Sequence, residues 1–206
     1  LLLWVFCAAP CVAAAAQTLT YVILKDGEPI GQEHYVLNQD GPRLFVTLSV
    51  ASDVKVLFLD FHYRHERSEV WNGKKLEQIV ADTDDDGSHH HVEAHQSDNG
   101  LRLLADNREI NLPSESLPIA TWTERVVERE TLFSVENGDA PYKVTIKRLG
   151  QETLKTSQGP VPMTHYVMSG DVERDLWYGL DGILAKMTFR RRGFGIAVMR
   201  NDIMEP

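Results

Sequence analysis

The hydrophobic pattern of the chain is that of strands. Leu44, Val46, Leu48 and Val50 recur at every second position, the period at which one face of a β-strand is buried. Leu19 to Lys25 and Ile30 to Leu37 read the same way and flank Asp26-Gly27-Glu28-Pro29. Gly27 can adopt the positive φ that a tight reversal demands, so a hairpin is expected there. Further turn points fall at Asn72-Gly73, Asp86-Gly87, Asn99-Gly100, Asn137-Gly138 and Asp181-Gly182. Turn pairs of this chemistry between β-like runs predict a long antiparallel meander.

Two stretches depart from that pattern. From Val54 to Tyr63 the alternation fails, with Val56, Leu57, Phe58, Leu59 and Phe61 all apolar, which predicts a strand buried on both faces. A covering helix or a second packed sheet would each supply the missing layer. Thr121-Trp122-Thr123-Glu124 has the form of a helix capping box, with Trp122, Val126, Val127, Leu132 and Phe133 available for a buried stripe. No linker-like, repetitive or low-complexity run divides the chain, so residues 17–206 are expected to form a single β-rich domain.

The first sixteen residues are uncharged, apolar and end in small residues, the pattern of a signal peptide truncated at its start, with Ala14-x-Ala16 as the cleavage signal. Export to a bacterial periplasm is the expectation. Cys7 and Cys11, the only cysteines, both lie in this segment, so the mature domain would carry neither disulfide nor thiol nucleophile. The net charge of −9 opposes nucleic-acid binding, while peripheral membrane contact stays open.

Chemistry-bearing clusters are few. Asp84-Asp85-Asp86 precedes His89-His90-His91, and on a strand His89, His91, Glu93 and His95 would share one face, a spacing able to chelate a metal. Val92 and Ala94 opposite them read as core, leaving the histidines to solvent, so no metal is assigned and His89, His91 and His95 stand only as candidates. The chain has no Gly-x-Ser-x-Gly elbow, and Gly193-Phe194-Gly195 is a turn rather than a phosphate loop. Scattered acids such as Glu66, Glu69, Glu93 and Asp175 read as surface charge. Neither an enzyme nor a cofactor is expected. Arg190-Arg191-Arg192, with Arg200, is either a solvated hairpin tip or a basic contact for headgroups or an acidic partner.

The tryptophan-centred motifs carry a resemblance. Glu69-Val70-Trp71-Asn72-Gly73 with Leu76, Thr83 to Gly87, Leu117-Pro118 before Trp122, and Asp175-Leu176-Trp177-Tyr178 with Asp181-Gly182 together resemble a family of exported bacterial proteins known as a domain of unknown function, itself distantly similar to the LolA/LolB-type lipoprotein carriers. Gly179 stands where that pattern has an acid. The resemblance implies an incomplete β-barrel: a single strongly curved antiparallel sheet, mainly β, with one or two short helices covering the concave face. Phe58, Phe61, Tyr63, Trp71, Trp122 and Trp177 offer large apolar surfaces with polar handles. They are the candidate lining of a cavity for a lipid or other apolar small molecule, unless they are ordinary core. The competing expectation is a cell-envelope domain that engages a protein partner and takes no small ligand.

Overall fold

The computed structural model describes residues 16–56 and 59–204. The expected signal peptide therefore lies, apart from Ala16, outside the described residues. In chain order the strands are β1 (Gln17–Lys25), β2 (Glu28–Asp40), β3 (Arg43–Val56), β4 (Leu59–Asn72), β5 (Lys75–Asp85), β6 (Ser88–Ser97), β7 (Gly100–Ala105) and β8 (Arg108–Leu112). They continue with β9 (Leu117–Pro118), β10 (Thr131–Phe133), β11 (Tyr142–Thr156), β12 (Gly159–Gly170), β13 (Arg174–Tyr178), β14 (Leu184–Arg191) and β15 (Phe194–Arg200). All belong to one sheet, in the order β8-β7-β6-β5-β4-β3-β2-β1-β15-β14-β13-β12-β11-β10-β9. Two meanders are thus joined where β1 pairs with β15, Tyr21 opposite Arg200. The sheet curves on itself but does not close, because β8 and β9 end it without pairing to each other.

Turn chemistry fixes the meander. Asp26-Gly27, Asp86-Gly87 and Arg192-Gly193 each have positive φ at both residues, the geometry whose twist matches that of the flanking strands. The Val54 to Tyr63 stretch corrects the expectation of a doubly buried strand. β3 ends at Val56 and β4 begins at Leu59, with Val56 opposite Leu59 and Val54 opposite Phe61. Inward positions are even-numbered on β3 and odd-numbered on β4, as buried Val46, Leu48 and Val50 and buried His65, Arg67 and Trp71 show. A parity switch between β3 and β4 therefore accounts for the lost alternation among the described residues of this stretch.

The concave side is filled at one end by the segment between β8 and β11. Leu117, Ile119, Trp122, Val126, Phe133 and Val135 from it are buried against Trp71, Leu76, Ile79 and Leu103. This end is the floor. The expected helix is reduced to a 3-10 turn, Glu124–Glu128, whose preceding Thr123 makes no side-chain cap bond. The capping-box groups are used elsewhere: Thr121 Oγ1 lies 3.4 Å from Met187 Sδ, and Glu124 Oε1 accepts a 2.8 Å bond from Tyr166. Thr123 is extended backbone, and the Trp122 carbonyl accepts a bond from Leu184 N. The same segment bridges the open seam. Gly138 sits so near β7 that a Cβ there would fall 2.0 Å from the Ala105 Cβ, and Arg108 reaches Asn137 O at 2.9 Å.

A second, smaller core lies on the convex side. Leu24, Trp177, Ala185 and Met199 alternate with inward Ile23, Leu176, Leu184 and Val198, and pack with Leu154, Met163 and Ile203. The β11–β12 hairpin covers them beyond a bulge at Arg148/Gly150.

Candidate functional site

Above the floor the concave side is empty. A chamber of about 400 Å³ opens at the end carrying the β1–β2, β5–β6 and β14–β15 turns, within the range of small-molecule sites. Its apolar wall includes Ile23, Ile30, Leu48, Val50, Val54, Phe61, Phe189, Phe194, Ile196 and Val198. The wall follows from strand parity: Ile23, Val198 and Met187 are cross-strand partners on β1, β15 and β14, and Ile196 faces Phe189.

Beta strand 4 supplies the polar part. Its inward positions, read from mouth to floor, are Phe61, Tyr63, His65, Arg67, Glu69 and Trp71, and the first four line the chamber. At the floor one oxygen of Glu69 is satisfied twice over: Oε2 accepts bonds from Trp71 Nε1 at 2.6 Å and Trp122 Nε1 at 3.1 Å. Its Oε1 lies 2.7 Å from Arg67 Nε, an ion pair outside hydrogen-bond alignment. Higher up the groups are under-satisfied. His65 is 2 % exposed and Arg67 7 %, yet His65 Nε2 and Arg67 Nη2 have no hydrogen-bond partner. His65 Nδ1 is 2.8 Å from Thr83 Oγ1. Burial, aided by the Arg67 charge, pushes the His65 pKa down to about 3, so the imidazole is neutral at ordinary pH.

Across the chamber Arg174 lies 3.4 Å from the Met187 sulfur through Nη1 and 5.3 Å from the Phe189 ring through its guanidinium carbon, with Glu136 and Glu33 as the nearby acids that act on it. Burial lowers its pKa. Glu33 also lines the chamber and accepts a 3.3 Å bond from Tyr35. Burial pushes its carboxyl above the usual carboxylate range against the pull of Arg67 and Arg174.

The mouth cations are occupied. Arg191 contacts Asp85 at 2.9 Å and Glu136 at 3.3 Å, and Arg192 meets Asp85 at 3.3 Å. These pairs tie the β14–β15 turn to the end of β5, so the Arg190 to Arg192 run is partly a clasp across the opening. Arg191 and Arg192 also lie over Tyr63 and Phe61, at 5.0 and 5.4 Å from the ring centroids.

The structure brings together only part of the aromatic set. Phe61 and Tyr63 line the chamber. Trp71 and Trp122 form an edge-to-face pair, centroids 6.4 Å apart, in the floor. Trp177 is on the convex side, stacked on His165 at 4.2 Å and donating to Glu152 at 2.8 Å. Phe58 lies outside the described residues. His65, Arg67 and Arg174 went unmarked in the sequence. The signal for the β4 pair was present, since a two-residue period through Tyr63 and Trp71 puts His65 and Arg67 on the same face.

The histidine run is on β6 with Val92 and Ala94 buried behind it. His91 contacts Asp82 at 2.7 Å and Glu93 at 3.0 Å, and those bonds, Glu93 first, raise its pKa. His89 is largely exposed. Among the described residues no group of three or more His, Cys, Asp or Glu is arranged to hold a metal.

A solved structure with the same architecture is the beta-barrel-like protein of domain of unknown function DUF1849 from Brucella abortus. The two share 11 % sequence identity over 91 % of this chain and 97 % of that one, with a TM-score of 0.65, a likeness of fold alone. No curated protein matches the sequence. Residues 21–201 match DUF6134, a domain of unknown function, and with nearly the whole described sheet inside that match the chain belongs to the DUF6134 family.

Proposed function

We propose that this protein binds or carries a hydrophobic small molecule, a lipid or lipid-like compound, in its open half-barrel, as a non-catalytic exported protein of the bacterial periplasm. The observation that carries the reading is the chamber of about 400 Å³, apolar over most of its wall and open at one end. Protein interiors pack to the density of organic crystals, and a void this size lined by Ile, Val and Phe forfeits contact energy unless something fills it. The expected kinship with LolA/LolB-type carriers belongs to the same reading.

Native mass spectrometry with organic extraction, on protein purified gently from a bacterial periplasm, tests it. A stoichiometric apolar adduct is the expected result. Protein that carries none and refuses added fatty acids and isoprenoids would overturn it. That outcome would favour an envelope protein-interaction domain, for which edge strand β8, unpaired on its outer side, offers a template for strand addition.

A further inference from the structure

We propose that the chamber is built for an amphiphile with an anionic head, a carboxylate or a phosphate, and that the head enters first. It seats against Arg174 and Arg67 while the tail points to the mouth. This rests on the chamber being a ligand site.

The argument starts from unmade bonds. A buried donor without a partner costs free energy, and a buried guanidinium costs more than a neutral group. Arg67 Nη2 and His65 Nε2 are both unpartnered on side chains more than nine-tenths buried that line the chamber. Arg174, in the same wall, has a sulfur and a ring face in place of a carboxylate. A planar guanidinium fork presents donors in the geometry that a carboxylate or phosphate accepts. The floor shows the contrast: Glu69 there takes its indole donors and its cation from within the protein. Higher up, Arg67 shares that carboxylate through Nε but leaves Nη2 unused, and Arg174 makes no carboxylate bond among the described residues.

Orientation follows from the mouth. Arg191 and Arg192 are paired with Asp85 and Glu136, and Lys25 lies 3.6 Å from Asp26 and 4.2 Å over the Phe194 ring. A head at the opening would have to displace those acids, whereas inside Arg67 keeps Nη2 unused and Arg174 makes no carboxylate bond among the described residues. Ile30, Val54, Phe61, Phe194 and Ile196 then flank the tail. Three carboxyl groups line the chamber and would repel an anion: Asp85 and Glu136, both paired with Arg191, and Glu33. Burial shifts the Glu33 pKa upward, against the pull of Arg67 and Arg174, which weakens its repulsion of an anion.

Isothermal titration calorimetry of delipidated protein with dodecanoate, dodecanol and 12-hydroxydodecanoate tests the assignment. Dodecanoate is expected to bind at least about tenfold tighter than dodecanol, the margin of one charge-assisted hydrogen bond. The 12-hydroxy acid should match dodecanoate, because its added hydroxyl reaches water at the mouth. Arg174→Met should weaken dodecanoate far more than dodecanol and so narrow the preference for the acid, and Glu33→Gln should keep or increase it. Dodecyl phosphate, run in parallel, separates the two head chemistries: whichever binds tighter names the head. Acid and alcohol binding the native protein equally would overturn the anionic head while the ligand site stood. A 12-hydroxy acid excluded from the chamber would overturn the head-first orientation. No binding of any of these compounds would overturn the site reading itself.

Discussion

The floor and the chamber are made by the same strands at the same inward positions, and they treat polar groups in opposite ways. On β4, Glu69 accepts from the Trp71 and Trp122 indoles through one oxygen and pairs with Arg67 through the other. Two and four residues nearer the mouth, Arg67 and His65 keep donors or acceptors unused. The difference is what stands opposite. The segment between β8 and β11 brings Trp122 and Phe133 over the floor, while higher up its Ile119, Thr121, Val135 and Glu136 line the chamber without filling it. Burial alone therefore does not mark a site here. Burial with unmade bonds next to empty space does.

The largest effect is expected from breaking the floor. Glu69→Ala strands two buried indole N–H groups and the Arg67 guanidinium, and removing one partner of such a buried set costs about 3–5 kcal/mol. Urea denaturation of the variant should show it. Glu69→Gln keeps an acceptor for the indoles and should lose distinctly less. Equal stability of Glu69→Ala and the parent would mean the floor is not the anchor described.

The chamber responds to acid instead. The His65 pKa is depressed from 6.5 to about 3, so between those values the unfolded chain binds the proton that the folded one refuses. Stability is then full above pH 6.5 and is lost progressively as pH falls toward 3. At pH 4 the His65 share of that loss is on the order of 3 kcal/mol, at about 1.36 kcal/mol per unit. Comparing denaturation midpoints at pH 7 and pH 4, His65→Gln should flatten the acid slope by that amount. An unchanged slope would place His65 in contact with water rather than in the chamber wall.

Across the seam the effect is smaller and can be reversed. Gly138 has φ +69 and no room for a Cβ beside Ala105, so Gly138→Ala should cost about 1–3 kcal/mol by overpacking and backbone strain. Ala105→Gly should restore the steric part in a double-mutant cycle. Without that restoration, the two ends of the sheet would not meet as described.

These elements also show what the sequence makes legible. The meander was readable because its turns use Asp-Gly and Asn-Gly chemistry, and Val92 and Ala94 behind the histidines followed from period two. The Val54 to Tyr63 run misled because a parity switch between two strands and a doubly buried strand leave the same apolar string. Trp122 misled because its polar neighbours were scored for local capping while their partners, Met187 and Tyr166, lie far along the chain. Aromatic size pointed to Trp177, but size does not tell which face a residue takes. Parity does, since Leu176 and Tyr178 are both in the main core. Arg174 shares the period-two face of Leu176 and Tyr178, but that parity does not tell that the space opposite is open, which depends on pairing through β13 and β14 to β15 and β1.

Trp177 gives the mildest and most discriminating test. It lies on the convex side with His165 and Glu152, separated from the chamber by the sheet itself. Its indole bond is the main cause lowering the Glu152 pKa, with His165 second. A depressed carboxylate adds stability above its unfolded value of 4.5 that disappears as pH falls through the folded value. Trp177→Phe keeps the stacking ring and removes that bond, so the expected loss at pH 7 is only about 0.5–1.5 kcal/mol, shrinking in acid as Glu152 protonates. Any ligand affinity measured for the chamber should not move. If it does, the two faces of the sheet are coupled, and the assignment of the floor, chamber and convex core as separate units fails at β13.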